Sequence, residues 1–146
     1  AAVSSTGTTS EVNAWAPTIP AGMLSPMCTV ENGVTVVKTG TAGTMTLRQR
    51  YNGAAGTAIG YNLAATASNV GAVSLSRIVA GVASGGNITL TQGNMSSAAN
   101  GLGIVTVASV SLTHTMANAV TLNLTIQAGN AADTVNIANA YLEICG

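Results

Sequence analysis

Hydrophobic and polar residues alternate along the last third of the chain. In the segment Val120–Gln127, valine, leucine and isoleucine occupy the even positions, and threonine, asparagine and glutamine occupy the odd ones. A Gly-Asn pair at 129–130 interrupts the pattern, which resumes at Thr134 and continues to Ile144. A period of two with β-branched residues is typical of half-buried antiparallel strands. The pattern therefore predicts two paired strands in this region.

Shorter segments with the same alternation begin at Gly33, and turns rich in glycine and asparagine separate them. The pair Asn52-Gly53 is a hairpin signal, although the glycine-rich residues after it predict a longer loop. Eight short strands with such turns predict an all-β fold, an antiparallel jelly-roll sandwich. The six strands predicted before the final pair cover residues 33–38, 44–51, 57–63, 73–79, 87–92 and 104–112.

Two irregular features are expected within this pattern. Residues 94–103 are expected to form a long loop with one helical turn at 96–100. The apolar positions change parity within 107–110 and again within 137–142, and each change predicts a β-bulge. No repeat of fixed period is present, which argues against a β-solenoid.

Residues 1–32 differ from the rest of the chain, since they contain all three prolines, the only tryptophan and no alternation. A residue before proline avoids the helical region, so this segment is predicted to be an extended N-terminal arm, followed by the jelly roll in 33–146. Its polar opening is expected to be ordered only if another segment holds it. Four apolar side chains of the arm are expected to bind a neighbouring protein: Trp15, Ile19, Met23 and Leu24. Trp15 has an equally good second interpretation, which is that it closes the chain's own sandwich.

Charge is scarce throughout the sequence. Charged residues make up 5% of the chain, compared with about 25% in an ordinary soluble domain. Four Lys and Arg balance four Asp and Glu, so the net charge is zero. Proteins near zero net charge tend to associate, and hydroxyl and amide surfaces lose less on desolvation than charged ones. The composition therefore favours a subunit of an assembly over a charge-poor monomer.

The same composition excludes two classes of partner. Binding to nucleic acid by counterion release needs clustered cations, and only Arg48 and Arg50 lie close together in the sequence. A membrane helix needs about 20 apolar residues, and no apolar run approaches that length. We therefore expect contact with neither nucleic acid nor a membrane.

The candidates for chemistry are few. His114 is the only histidine, and neither a cysteine nor a carboxylate lies near it in sequence, so a hydrogen-bonded structural histidine is favoured over a catalyst or metal ligand. Cys28 and Cys145 form no Cys-x-x-Cys motif, and both interpretations, apolar filler or disulfide, remain open. Glu143 is predicted to pair, across strands or across subunits, with one of three arginines, Arg48, Arg50 or Arg77. No catalytic residue, cofactor or metal site is predicted, and the chain is not expected to be an enzyme.

The closing segments 111–115, 119–129 and 136–144 resemble the final strands of trimeric, C1q/TNF-like jelly rolls found in bacteriophage virion proteins. In that family a long alternating strand and a glycine turn lead to a last strand in which an aromatic residue precedes an apolar-x-apolar end. The resemblance covers the last third of the chain. It implies a homotrimer with the last strand near the three-fold axis, and a trimer interface containing Tyr141, Leu142, Glu143 and Ile144.

The resemblance also implies a role. Such trimers act as capsid decoration or cement proteins, which stabilise a phage head by binding adjacent subunits of the major capsid protein, or as tail-fibre tips, which bind a host receptor or glycan. An extended arm suited to lying on a lattice favours the first role. We therefore expect a structural protein of the virion on the outer surface of the capsid, assembled in the host cytoplasm. A non-phage surface fibre, pilin-like or S-layer-like, is the other structural alternative.

Overall fold

The computed structural model describes residues 3–65, 69–81, 85–99, 102–104 and 111–145. Within these ranges the chain forms twelve β-strands and no helix. The strands are β1 (Val3–Thr6), β2 (Val12–Trp15), β3 (Thr18–Ile19), β4 (Thr29–Thr39), β5 (Met45–Tyr51), β6 (Ala58–Ala65), β7 (Val70–Ala80), β8 (Asn87–Ala99), β9 (Leu102–Ile104), β10 (Ser111–Thr115), β11 (Val120–Ala128) and β12 (Thr134–Cys145).

The strands form two antiparallel sheets. Sheet A has the order β1-β12-β4-β7-β8-β10, and sheet B has the order β2-β11-β5-β6-β9, with β3 also paired to β11. Four pairs of consecutive strands each pass from one sheet to the other: β1–β2, β11–β12, β4–β5 and β6–β7. These pairs follow the same order in both sheets, which is the arrangement of a jelly roll. The predicted all-β, antiparallel jelly-roll sandwich is confirmed.

The core lies between the two sheets and follows from the alternation in sequence. In β11 the even positions from Val120 to Ala128 point inward and are buried, together with Met45 and Leu47 of β5. Val34 and Val36 of β4 meet them from sheet A. Because each buried Val, Leu or Ile contributes about 1.5–3 kcal/mol, these interdigitating side chains supply much of the driving force for folding.

The N-terminal segment departs from the predicted arm. Its backbone is extended, as expected, but β1 pairs with β12, and β2 and β3 pair with β11. The predicted boundary between residues 32 and 33 falls inside β4, which begins at Thr29. The reason is that an extended polar chain satisfies its backbone N–H and C=O groups at the edges of both sheets. Residues 3–19 are therefore part of the sandwich, and β12 holds the polar opening in place.

Two local predictions are confirmed. The register between β12 and β4 shifts between Ile137 and Asn139, which is the bulge predicted in the last strand. Asn52 and Gly53 both have positive φ angles, +54° and +121°, in the turn between β5 and β6. The asparagine-glycine pair supplies the two residue types that adopt this conformation at least cost.

The prediction for residues 94–103 is wrong where the structure describes it. β8 runs without interruption from Asn87 to Ala99, so no helical turn forms at 96–99. β7 has eleven residues and pairs with β8 over ten of them, and this ladder overrides the weak local preference of small polar residues. The bulge expected within 107–110 lies outside the described residues. The strand predicted over 104–112 reaches the described part only at its ends, in β9 and β10.

Candidate functional site

The four side chains predicted to bind a partner have different surroundings. Ile19 and Leu24 are buried in the chain's own core, next to Cys28 and Val30, so the prediction that they bind a neighbouring protein is wrong. The pairing of β3 with β11 is what turns Ile19 inward. Trp15 is half-buried and packs against a second core cluster, which contains Val34 and Leu124. Met23 is 52% exposed, and of the four it is the one that extends into solvent.

Some large apolar side chains are exposed to solvent. Among the described residues they are Met23, Met27, Val79 and Tyr141. Val79 lies opposite Thr29 in sheet A, and Tyr141 lies opposite Gly33, four residues further along the same strand. Both occupy the outer face of sheet A, about 13 Å apart along the strand direction. The paired positions Glu143, Glu31 and Arg77 form the row between them. Met27 adjoins Val79, because its N–H donates to the carbonyl of Ala80, the residue after Val79, at 2.8 Å. We call Met27, Val79 and Tyr141 the apolar patch.

Tyr141 is fixed in place by its neighbours on β4. A Cβ atom added to Gly33 would lie 2.1 Å from Cε1 of Tyr141, so the ring lies across the backbone of this glycine. The phenol hydroxyl donates a hydrogen bond to Oε1 of Glu31 at 2.9 Å. That hydrogen bond, together with partial burial, raises the pKa of Tyr141. The ring is thus held flat on the sheet and remains 41% exposed.

The predicted trimer-interface residues divide between the two faces of β12. Tyr141 and Glu143 point outward and are exposed. Leu142 and Ile144 are half-buried and pack against the core cluster that contains Cys28 and Val30. On the outer face, Tyr141 and Glu143 therefore have the orientation that an interface residue needs.

Glu11 gathers the two arginines of β5 on the outer face of sheet B. It accepts hydrogen bonds from Nε and Nη2 of Arg50, at 2.7 and 2.8 Å, and from Nη1 of Arg48 at 3.2 Å. The hydroxyl of Thr125 also donates to it. The hydrogen bonds from Arg50 do most to lower the pKa of Glu11, against the opposing effect of burial. Within one chain, Arg48 and Arg50 therefore pair with Glu11 and not with Glu143. Pairing of Glu143 between subunits stays a prediction, and the side chain of Arg77 lies outside the described part.

We predict that Glu11→Gln destabilises the protein by about 1 kcal/mol, because it removes a partly buried carboxylate that ties β2 to β5. The midpoint of urea unfolding should fall, and hydrogen exchange should accelerate first in β2. Glu143→Gln, which removes an exposed carboxylate from β12, is the matched control and should leave hydrogen exchange in β2 unchanged. Equal effects of the two substitutions would refute the role of Glu11.

A second ion pair is fully buried at the opposite end of β5. The Lys38 ammonium lies 3.4 Å from Oδ2 of Asp133, and both side chains are inaccessible to solvent. Lys38 also donates to the carbonyl of Thr41, and the N–H of Thr41 donates to Oδ1 of Asp133. Burial raises the pKa of Asp133, but the Thr41 and Lys38 hydrogen bonds more than offset it and leave the pKa below its ordinary value. The pair links the end of β4 to the loop before β12.

His114 is a hydrogen-bonded structural residue, as predicted. Its Nε2 lies 3.2 Å from the carbonyl of Asn118, and its Nδ1 lies 2.6 Å from the hydroxyl of Tyr51. Because a carbonyl only accepts, the hydrogen atom in the contact with Asn118 is assigned to Nε2. The contact with Tyr51 joins β10 of sheet A to β5 of sheet B across the sandwich.

The cysteines are both free: Cys28 is buried and Cys145 is exposed on the last strand. Cys28 therefore takes the apolar-filler role, and the two do not form a disulfide within one chain. Among the described residues, no three His, Cys, Asp or Glu side chains gather in the manner of a metal site. No described helix has the length and apolar character needed to cross a membrane.

Comparisons with known proteins identify no family. No protein-family model matches the chain, and no curated protein matches it. Among solved structures, an alginate lyase from Alteromonas sp. 272 is similar at 10% sequence identity and a TM-score of 0.28, over 86% of this chain and 74% of that one. A likeness this slight carries no argument about activity.

Proposed function

We propose that this chain is a structural protein that self-associates through the outer face of sheet A as a homotrimer and acts as a capsid cement or decoration protein of a phage virion. The observation that carries the proposal is the apolar patch. Large apolar side chains exposed on a sheet face favour association. The row of Glu143, Glu31 and Arg77 divides the patch, so the face combines apolar contacts at its two ends with polar contacts between them, as protein interfaces do. The patch includes Tyr141, the aromatic residue of the last strand.

The distribution of charge supports association of like surfaces. Of the eight charged residues in the sequence, five take part in the ion pairs of Glu11 with the two arginines and of Lys38 with Asp133: Glu11, Lys38, Arg48, Arg50 and Asp133. These three cations and two carboxylates are paired within the subunit and leave a charge of +1, which Glu31, Arg77 and Glu143 in sheet A balance. A second copy therefore meets no net charge that would repel it. The surface that remains is dominated by hydroxyl, amide and small apolar groups, which are cheap to desolvate.

The virion role rests on the resemblance of the closing strands to those of trimeric jelly rolls in phage virion proteins. The jelly-roll order of the strands in the two sheets is compatible with that role. In this role the trimer would bind adjacent subunits of the major capsid protein and add stability to the shell. Burial of apolar side chains would supply the free energy, multiplied by three equivalent contacts per trimer. Of the residues predicted to bind such a partner, Met23 and the half-buried Trp15 retain exposed surface.

We predict that the purified protein has the mass of a trimer by light scattering, and that Tyr141→Ser raises its dissociation constant by about tenfold to a hundredfold. The ring is an exposed aromatic anchor, the residue class that dominates interface energetics. Tyr141→Phe is the matched variant: it keeps the ring, loses the hydrogen bond to Glu31 and should still associate. A wild-type protein that is monomeric at every concentration would overturn the proposal.

The capsid role has its own test, which is mixing the trimer with undecorated phage shells and measuring co-sedimentation. Joining the shells at saturable stoichiometry supports cement function. A stable trimer that ignores the shells overturns the cement role while leaving the self-association intact.

A further inference from the structure

Met27 occupies the most strained position of a tight turn. The N–H of Cys28 donates to the carbonyl of Ser25 at 3.2 Å, which defines a four-residue turn with Pro26 second and Met27 third. Met27 has a φ of +70°. Proline followed by a left-handed residue is the type II pattern, in which the third position normally belongs to glycine. A large side chain there costs conformational free energy that glycine would avoid.

The side chain of Met27 contributes little burial to its own fold, because the residue is 84% exposed. The other described non-glycine residue with positive φ, Asn52, has a local explanation. Asparagine tolerates this conformation, and the side-chain oxygen of Asn52 accepts the N–H of Thr121 at 3.0 Å. No such contact accounts for a methionine at position 27. A strained residue held by its surroundings and projecting into solvent is a typical feature of a binding site.

The turn that carries Met27 is firmly attached to the sandwich. The N–H of Met27 donates to the carbonyl of Ala80, and the N–H of Ala80 donates to the carbonyl of Cys28, at 2.8 and 2.9 Å. Leu24 and Cys28, on either side of the turn, are buried in the core. The methionine is therefore presented from a fixed base, which reduces the entropy lost when it binds.

We propose that Met27 is a docking anchor that inserts into an apolar recess on a second copy of this chain. The proposal rests on the self-association proposed above, and it names the residue at the end of sheet A that makes the contact. Met27 adjoins Val79, whose row on the outer face of sheet A lies next to that of Glu31 and Arg77. Methionine is unbranched and adaptable, which suits it to a recess that forms on contact.

The absence of charge from the loop around Met27 favours an uncharged partner surface, such as that of a second copy of this chain. Residues 17–30 contain no charged side chain. An anionic lipid surface or nucleic acid would be met by lysine or arginine, and a strongly charged protein would be met by the opposite charge. A second copy of this chain, with most of its charges paired internally, offers the neutral surface that such a loop fits.

The test compares four variants by light scattering over a range of concentrations. Urea unfolding is measured at a dilution at which every protein is monomeric, so that association does not contribute to the midpoint. Met27→Asn and Met27→Gly keep residue types that accept the turn, and both should raise the dissociation constant of the oligomer at least tenfold without lowering the unfolding midpoint. Met27→Leu keeps apolar bulk and should retain most of the association. Asn52→Gly alters the other left-handed turn and should leave association unchanged.

The possible outcomes distinguish the docking role of Met27 from the self-association on which it rests. A monomeric wild type overturns the self-association and the anchor together. If Tyr141→Ser dissociates the oligomer while Met27→Asn and Met27→Gly do not, the anchor is overturned and the self-association remains. If both Met27 variants lower the unfolding midpoint substantially, Met27 serves its own fold, and the anchor is overturned on that ground.

Discussion

Replacing Lys38 with alanine is expected to lower the melting temperature by about 10 °C or more, because it leaves the Asp133 carboxylate buried without its cationic partner. An unpaired buried charge is far more costly than a missing surface ion pair, since water does not solvate it. Thermal unfolding followed by circular dichroism measures the effect. The loss of stability should exceed that of Glu11→Gln, because Glu11 and its arginines are partly exposed to water.

A double variant separates the charge from the packing. Lys38→Met with Asp133→Asn removes both charges, and the asparagine oxygen still accepts the N–H of Thr41. Replacing both members of a buried pair with neutral groups of similar size is often close to neutral, so this variant should recover most of the lost stability. If it is as unstable as Lys38→Ala, shape and not charge is what the pair contributes.

Acid should destabilise the protein progressively below about pH 4. The pKa values of Glu11 and Asp133 are both lower in the folded state than their ordinary values. The unfolded chain therefore takes up protons first as the pH falls, and the stability that these carboxylates contribute above about pH 4 is lost as the pH passes through their folded-state values. Urea unfolding at a series of pH values from neutral to strongly acidic measures this loss.

Variants that lack one of the two carboxylates show which of them causes the decline of stability in acid. In the variant Lys38→Met with Asp133→Asn, the carboxylate of Asp133 is absent, so the decline in acid should be shallower than in the wild type. Glu11→Gln should flatten it by a smaller amount, because Glu11 is partly exposed. Three parallel curves would show that neither carboxylate governs the acid response.

The alternation of residue types carries most of the information about the fold. It locates β11 and β12, the hairpin at Asn52 and the bulge after Ile137, because each depends on local chemistry: a period of two, a left-handed turn residue, a change of parity. The strands of the N-terminal segment are not predictable in this way. The segment has no alternation, and its strands exist because β11 and β12 offer unpaired edges, which are distant in sequence.

The candidate site is less accessible to sequence analysis. The pattern of the last strand identifies Tyr141, but no sequence pattern identifies Met27 and Val79. The pair Pro26-Met27 does signal a turn, yet the φ angle and exposure of Met27 depend on the hydrogen bonds with Ala80. The partner of Arg48 and Arg50 is equally hidden, because Glu11 reaches them only through the pairing of β2 with β11.

The pairing of β1 with β12 also determines when this protein can reach its native state. β1 and β12 are neighbours in sheet A although Thr6 and Thr134 are 128 residues apart, so this part of sheet A forms only after β12 has been synthesised. Contacts between distant segments slow folding to the range of milliseconds to seconds in all-β proteins. Until β12 has been synthesised, β1 and β4 lack the strand between them and present open edges, so the nascent chain is most vulnerable to misassociation before β12 emerges.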